Sequence, residues 1–407
     1  MQAHDDTPNL TTGQRIKLYR ERAGKTRAVL GGLVGRSAEW VKAVETGRIL
    51  PPRLPMLTQI ARALKVNVRE LTEEDHGHAD LVSGPGHAGL PAVREALNRW
   101  PMSVSEEPQP LEHIRARLAT AWRARHAAPD HRTVVGALLP DLIRDAQVAT
   151  RAYQGDAQNR AHAVLAETLG LTQMFLAYQS GAADLLWRVV DRAVLAAQES
   201  GDPAALAGAV WFAAQAHRDA GDWDTAMAVN LDALTAVEPQ LEDADDELLA
   251  LYGALQFEAA YTAARAGEAG RAWRYWDAAD AVSRRLPEGF YQRWTSFSRV
   301  IMGAHAVTVE VELRKGGSAL QTADRTPAAL IPSRPRRARH LIEVARGHYL
   351  KRDHQATVGT LREAYETAPE TIRYNGYARK ITAELLEGPP SLRREANDLA
   401  VKVGLLG

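Results

Sequence analysis

Residues 24–47 read Gly24-Lys25-Thr26-Arg27-Ala28-Val29-Leu30-Gly31-Gly32-Leu33-Val34-Gly35-Arg36-Ser37-Ala38-Glu39-Trp40-Val41-Lys42-Ala43-Val44-Glu45-Thr46-Gly47. The placing of hydroxyl residues and glycines in this stretch decides the fold of the N-terminal region. Thr26 precedes an apolar run in which Leu30, Leu33 and Val34 are expected to face inward, so it caps a short helix from Arg27 to Val34. Gly35 accepts positive φ and stops that helix, and Ser37 caps a further one, Ala38 to Glu45. Two helices joined by Gly35-Arg36-Ser37 form a helix-turn-helix.

Upstream, Thr12 is the expected cap of a helix running to about Arg22, with Ile16 and Tyr19 or Arg20 on successive turns and Gly24 as its stop. Downstream, Pro51-Pro52-Arg53-Leu54-Pro55 reads as an extended loop. Met56 to Leu64 follows as a helix with Leu57, Ile60, Ala61 and Leu64 on one face, and Val66, Val68 and Leu71 close a small core. The segments Gly13-Gln14-Arg15-Ile16, Gly24-Lys25-Thr26-Arg27, Gly35-Arg36-Ser37, Val44-Glu45-Thr46-Gly47 and Ile60-Ala61-Arg62-Ala63-Leu64-Lys65-Val66 resemble, in order and spacing, the Cro/C1-type (XRE) repressor family across 10–72. The resemblance implies a lambda-repressor-like DNA-binding domain in which Arg20 and Glu45 form a structural pair. It departs at Arg27, where the family carries glutamine, and there trades an amide contact for a charged phosphate contact.

If the Ala38 to Glu45 helix enters the major groove, its N-terminal residues Ser37, Ala38, Glu39 and Lys42 meet base edges first. Glu39 suits cytosine N4, Ala38 a thymine methyl, and Lys42 guanine O6/N7 or a phosphate. Arg27, Arg36, Thr46 and Arg48 are expected to hold phosphates and set the register. Trp40 reads as a packing residue.

Charge supports this division. The 407 residues carry 50 basic and 50 acidic side chains. Between Leu10 and Leu71, however, thirteen basic residues face four acidic ones, which leaves an acidic remainder. A basic head on an acidic body suits a phosphate-binding module joined to a regulatory one. The absence of cysteine excludes disulfides, cysteine-ligated zinc or iron–sulfur sites and a thiol nucleophile. No apolar stretch approaches the roughly 20 residues that span a bilayer, and the start lacks a signal-peptide pattern. A cytoplasmic protein without a membrane partner is expected.

Residues 73–110 are rich in breakers, with one short helical piece around Ala92 to Trp100, and read as a linker. His76, His78 and His87 fall in it and are expected to be solvated rather than metal ligands. From Leu111 to the end, 111–407, Ala- and Leu-rich amphipathic segments alternate with brief breaks, so the body is expected to be all helical. The breaks at Gly181, Gly221, Gly267, Gly316 and Asp353 fall 40, 46, 49 and 37 residues apart, near enough to one period to suggest a solenoid. The unit from Ala207 to Pro239, with Ala213, Ala214 and His217 on one helix, Gly221 at the turn, then Trp223, Ala226 and Ala233, resembles a tetratricopeptide repeat. The unit from Gly253 to Ala279 is similar. The resemblance implies a curved α-solenoid whose first helices line a groove. Trp211, Gln215, Arg218 and Asp219, then Phe257, Tyr261 and Arg265, would line it and suit a peptide or a small amphipathic carboxylate.

Arg334, Arg336, Arg337 and Arg339 form a basic run expected on a solvated surface just before a helix. Asp277 and Asp280 lack the further ligands a metal site needs. No phosphate loop, nucleophile elbow or zinc-protease pattern occurs, so neither an enzyme, a cofactor nor a metal is expected. The expected protein is an all-α regulator with a head that binds double-stranded DNA as a homodimer on an inverted repeat, and a sensor body. The two modules together resemble the peptide-responsive regulators of Gram-positive bacteria, and the Ala/Arg-rich composition suggests an actinobacterial type. The alternative is an interaction scaffold whose head only tethers it to DNA or has lost DNA binding.

Overall fold

The computed structural model describes residues 11–49, 52, 54–64, 66, 68–71, 86–99, 107–388 and 391–406. His76 and His78 lie outside them. The described residues are helical and contain no strand. The chain divides into two compact units, one drawn from the residues up to His78 together with 266–268 and one from 79–265 and 269–407.

The head contains α1 (Thr12–Arg22), α2 (Arg27–Leu33), α3 (Ala38–Glu45), α4 (Leu54–Leu64) and α5 (Val68–Leu71). The cap of α1 is Thr11, one residue before the expected Thr12. Thr11 Oγ1 accepts from Gln14 N, and Gln14 Oε1 accepts from Thr11 N at 2.8 Å, a reciprocal pair that fixes the start. Thr26 and Ser37 cap α2 and α3 as expected. Gly13 lets α1 cross α3 closely: a Cβ there would stand 2.2 Å from the Val44 carbonyl oxygen. Ile16, Leu30, Val34, Val41, Leu57, Ile60, Leu64 and Leu71 fill the core. Leu33 does not. It is 59% exposed, because it ends α2 on the face that carries Val29, also half exposed.

The body begins earlier than residue 111. The segment read as a linker contributes the helix Leu90–Asn98, whose Val93 and Leu97 are fully buried in the main core. His87 is also docked there. Its ring meets Phe175 edge-on and its Nε2 lies 3.1 Å from Thr133 Oγ1, so it is a packed residue and not a solvated one.

After Leu111–Ala127 and His131–Ala152, helical hairpins succeed one another: Asp156–Leu176 with Ala183–Ser200, Pro203–Ala220 with Trp223–Val237, Asp246–Arg265 with Ala269–Ser283, Met302–Glu312 with Gly316–Asp324, and Arg334–Leu350 with His354–Thr367. The first helix of each packs on the first helix of the next, the arrangement of a helical repeat. Each turn has a left-handed residue: Gly181, Gly221, Gly267, and then Arg314 and Arg352 at φ 58° and 61°. The last two explain why the glycine rhythm fades while the geometry persists. Ala214 and Ala226, the small residues of the clearest unit, are fully buried.

One segment breaks the period. Residues 284–298 run irregularly between the hairpins, and their side chains reach across the first helices. Trp294 sits over Gly208, and Trp294 Nε1 and Arg293 Nε both donate to Glu167 Oε1 at 2.9 Å.

Candidate DNA-binding face and body cavity

In the head, the side chains expected to meet DNA share one exposed surface around α3. Arg36, Ser37, Glu39, Lys42, Thr46 and Arg48 are exposed, and Ala38 is half-buried. Two of them already have local work. Ser37 Oγ accepts from Trp40 N at 3.1 Å, and Thr46 Oγ1 donates to the Lys42 carbonyl at 2.8 Å. Glu39 approaches Arg48 rather than Arg36, at 3.9 Å between exposed groups. Arg36 instead lies over the half-buried Trp40 ring, 5.5 Å from its centre.

The Arg20–Glu45 pair is present, with Arg20 Nε donating to Glu45 Oε1 at 2.5 Å and Nη2 to Oε2 at 3.1 Å. Arg27 joins it: its Nε donates to Glu45 Oε2 at 2.8 Å. Arg27 is therefore a partner of a buried carboxylate, a role the sequence reading missed when it treated this residue only as a phosphate contact. Burial alone raises the Glu45 carboxyl, but the hydrogen bonds from Arg20 and Arg27 outweigh it and hold the carboxyl below its ordinary value.

In the body, the inner helices surround a cavity of about 110 Å³. Of the expected groove residues, Gln215, Arg218 and Tyr261 line it and Trp211, Phe257 and Arg265 do not. Trp211 is buried edge-on against Phe212. Phe257 is stacked on His305 with ring centres 3.4 Å apart. Arg265 donates to Tyr377 and to Glu312 Oε2. Asp219 serves as a partner, accepting from Tyr178 at 2.7 Å and from Arg218 at 2.6 Å.

The sequence missed most of the wall. Arg125, His131 and Arg132 come from Leu111–Ala127 and His131–Ala152, which precede the hairpins, and Arg336 and Arg339 come from the basic run read as solvated surface. That run does not precede a helix; it forms the first turns of Arg334–Leu350, and its i, i+3 spacing turns Arg336 and Arg339 to the same wall. Tyr178 completes the wall with φ 64°, a conformation unfavourable for a bulky side chain.

The charges of this wall divide into two groups. Arg218 Nε donates to Glu258 Oε1 at 2.6 Å, and Arg339 Nη2 lies 2.8 Å from Glu343 Oε1. Behind them Arg346 bridges Glu312 at 2.8 Å and Glu343 at 2.7 Å. Burial raises the Glu312 carboxyl, yet Arg346 and Arg265 overcome it and pull it down to about 2. Arg125, by contrast, is depressed to about 9 by burial and then by the charges of Arg132 and Arg336. His126 falls to about 3 through burial and Arg125, and His131 is lowered by the same causes.

Among the described residues, no group of three or more His, Asp or Glu side chains is arranged to hold a metal ion. No helix among them is long and apolar enough to cross a membrane.

Comparison with known proteins gives a match to a helix-turn-helix domain family over residues 12–74. No curated protein matches the chain. Among solved structures, BtubC (BKLC) from P. vanneervenii is 17% identical with a TM-score of 0.35, covering 62% of this chain and 90% of that one. A mutant of PrgX is 8% identical with a TM-score of 0.34, covering 84% and 96%. PlcR of Bacillus thuringiensis, in complex with the peptide PapR7 and DNA, is 10% identical with a TM-score of 0.27, covering 86% and 99%. These are distant likenesses.

Proposed function

We propose that the protein is a DNA-binding transcriptional regulator whose body responds to a small effector. The observation that carries the DNA-binding half is the exposed face of α3. Glu39 and Lys42 stand there on α3, Arg36 and Arg48 lie just outside its two ends, and Glu45 ties the helix to Arg20 and Arg27 behind it. Glu39 and Lys42 read bases and Arg36 and Arg48 hold phosphates, with Ala38 close enough to the groove for a thymine methyl. A single head of this size has limited selectivity, so the regulator acts as a homodimer on an inverted repeat with half-sites about one helical turn apart. An effector in the body cavity changes DNA affinity only through different affinities for the two states of that dimer.

Selection of bound DNA from a random library by the full-length protein, at a fixed near-physiological salt concentration, tests the reading. A palindromic motif is the expected result. Recovery of motif-free, salt-sensitive DNA by folded protein would remove the regulator and leave a scaffold whose head only tethers it.

A further inference from the structure

We propose that the body cavity is a binding site for a small organic oxyanion, a carboxylate or a phosphate, held by Arg125, Arg132 and Arg336. This rests on the effector-binding reading of the body and specifies the chemistry that the effector carries.

The cavity wall contains arginines but no aspartate or glutamate. Arg218 and Arg339 are matched by Glu258 and Glu343. The other three are not matched. The carboxylates they feel, Glu370 for Arg125 and Arg132 and Glu258 for Arg336, act through space without a hydrogen bond to their guanidinium groups. Arg132 and Arg336 are each oriented by a carbonyl, Nη1 to Phe175 O at 2.6 Å and Nη2 to Thr295 O at 2.5 Å. The Tyr374 ring lies 4.7 Å from the Arg132 guanidinium and holds it from one side.

What remains is a set of buried donors with no protein partner: Arg125 Nη1, Arg132 Nε and Arg336 Nε. Arg132 is only 7% exposed. A carbonyl or a water satisfies an N–H without neutralising the cation. Several uncompensated guanidinium groups close together in a desolvated site are costly, and the neighbouring Arg–Glu pairs show how this fold meets that cost elsewhere. An oxyanion supplies the missing charge and accepts hydrogen bonds from all three side chains, and the planar guanidinium suits carboxylate and phosphate oxygens.

Size selects among anions. At about 110 Å³ the space is of the order of a cavity that admits one six-membered ring, about 150 Å³. It holds a compact acid or phosphate, or the charged end of a longer ligand. Tyr178, held in its unfavourable backbone conformation and tied to Asp219, keeps the aromatic part of the wall in place.

The test uses the full chain and thermal unfolding in inorganic phosphate, acetate or citrate, with chloride adjusted to constant ionic strength. Arg125→Met is the informative variant, because among the described residues Arg125 makes no hydrogen bond to a carboxylate and feels Glu370 only through space, so its loss is expected to leave the wall intact. Arg160→Met, on the exposed surface, is the charge control. At least one anion is expected to raise the wild-type midpoint by a few degrees, with phosphate against citrate or acetate identifying the source of the oxyanion. R125M is expected to melt no lower than wild type in chloride and to bind the same anion about tenfold more weakly or worse, while R160M keeps the wild-type shift. No shift with any of the anions, or an equal shift in R125M, overturns the site. A large loss of stability in R125M without anion also overturns it, since Arg125 would then be a structural residue. DNA selection reports on the regulator separately: motif binding without an anion shift sinks only the site, and an anion shift in a protein that binds no motif leaves the site standing.

Discussion

Arg27 Nε lies 2.8 Å from Glu45 Oε2, joining the first residue of α2 to the last residue of α3. With Arg20 donating to both carboxylate oxygens, one buried acid ties α1 and the start of α2 to the end of α3. Arg27→Ala therefore removes a charge-assisted hydrogen bond and is expected to cost the head about 1–2 kcal/mol. Its effect on DNA binding has to be measured below the head's new melting transition. If R27A melts like wild type yet binds all DNA more weakly, the residue is a phosphate contact and its bond to Glu45 adds nothing.

Glu39 and Arg48 make an opposite-charge pair at 3.9 Å on the exposed face, too open to add much stability. In the proposed function each acts separately on DNA. Glu39→Ala is expected to relax preference at one base pair, by about 1–3 kcal/mol of discrimination, in repeated library selection. Arg48→Ala is expected to weaken binding to all sequences alike and to lower the salt slope by about 1. An unchanged motif in E39A removes Glu39 from base reading.

The head was legible because its information is local. Thr26, Gly35 and Ser37 mark helix ends, and Leu57, Ile60, Ala61 and Leu64 mark a buried face at helical spacing. Leu33 was misassigned because at the end of a short helix the apolar period no longer says which side is covered. In the body, Gln215, Arg218 and Tyr261 line the cavity. Trp211 and Phe257 instead pack against Phe212 and His305, contacts that the repeat period does not announce. Arg125 and Arg132 lay in helices without a repeat to align. Arg336 and Arg339 looked like solvated charge because a local sequence shows charge and not what it packs against.

Acid should act on the body through its buried histidines. Burial and then nearby arginines depress His126 to about 3, and depress His131 and His305 as well. Between those folded values and 6.5 the unfolded chain binds protons that the folded body does not, so stability is full above about pH 6.5 and falls as pH drops. His126, at about 3 in the folded body, removes up to about 2 kcal/mol between pH 6.5 and pH 5, and His131 and His305 act in the same direction. Glu45 and Glu312, with lowered values, keep their contribution through that window and lose it only below about pH 4.5. Denaturant titrations at pH 7.5 and 5 should therefore show the body weakened, and His126→Gln should reduce the slope. Because burial raises Glu247 and Glu258, which act in the opposite direction, the variant decides: an unchanged slope in His126→Gln would mean that His126 is not depressed in the folded body.

Glu370 connects the architecture of the body to its cavity. Its carboxylate accepts from Arg132 N, from Thr133 N at 3.3 Å and from Thr133 Oγ1 at 2.6 Å, closing the N-terminus of His131–Ala152 with a negative charge from a segment far along the chain. The same charge is the carboxylate nearest in effect to Arg125 and Arg132. Glu370→Gln keeps the shape but removes the charge, so two consequences of opposite sign are expected. Without an anion the protein should be less stable by about 1 kcal/mol, since a charged acceptor at the helix N-terminal N–H groups becomes neutral. With an anion the stabilisation should be larger than in wild type, because the cavity has become more positive. Phosphate and citrate titrations followed by thermal unfolding separate the two. If both the midpoint and the anion shift fall together, Glu370 supports the cavity wall mechanically, and its charge does not set the anion affinity.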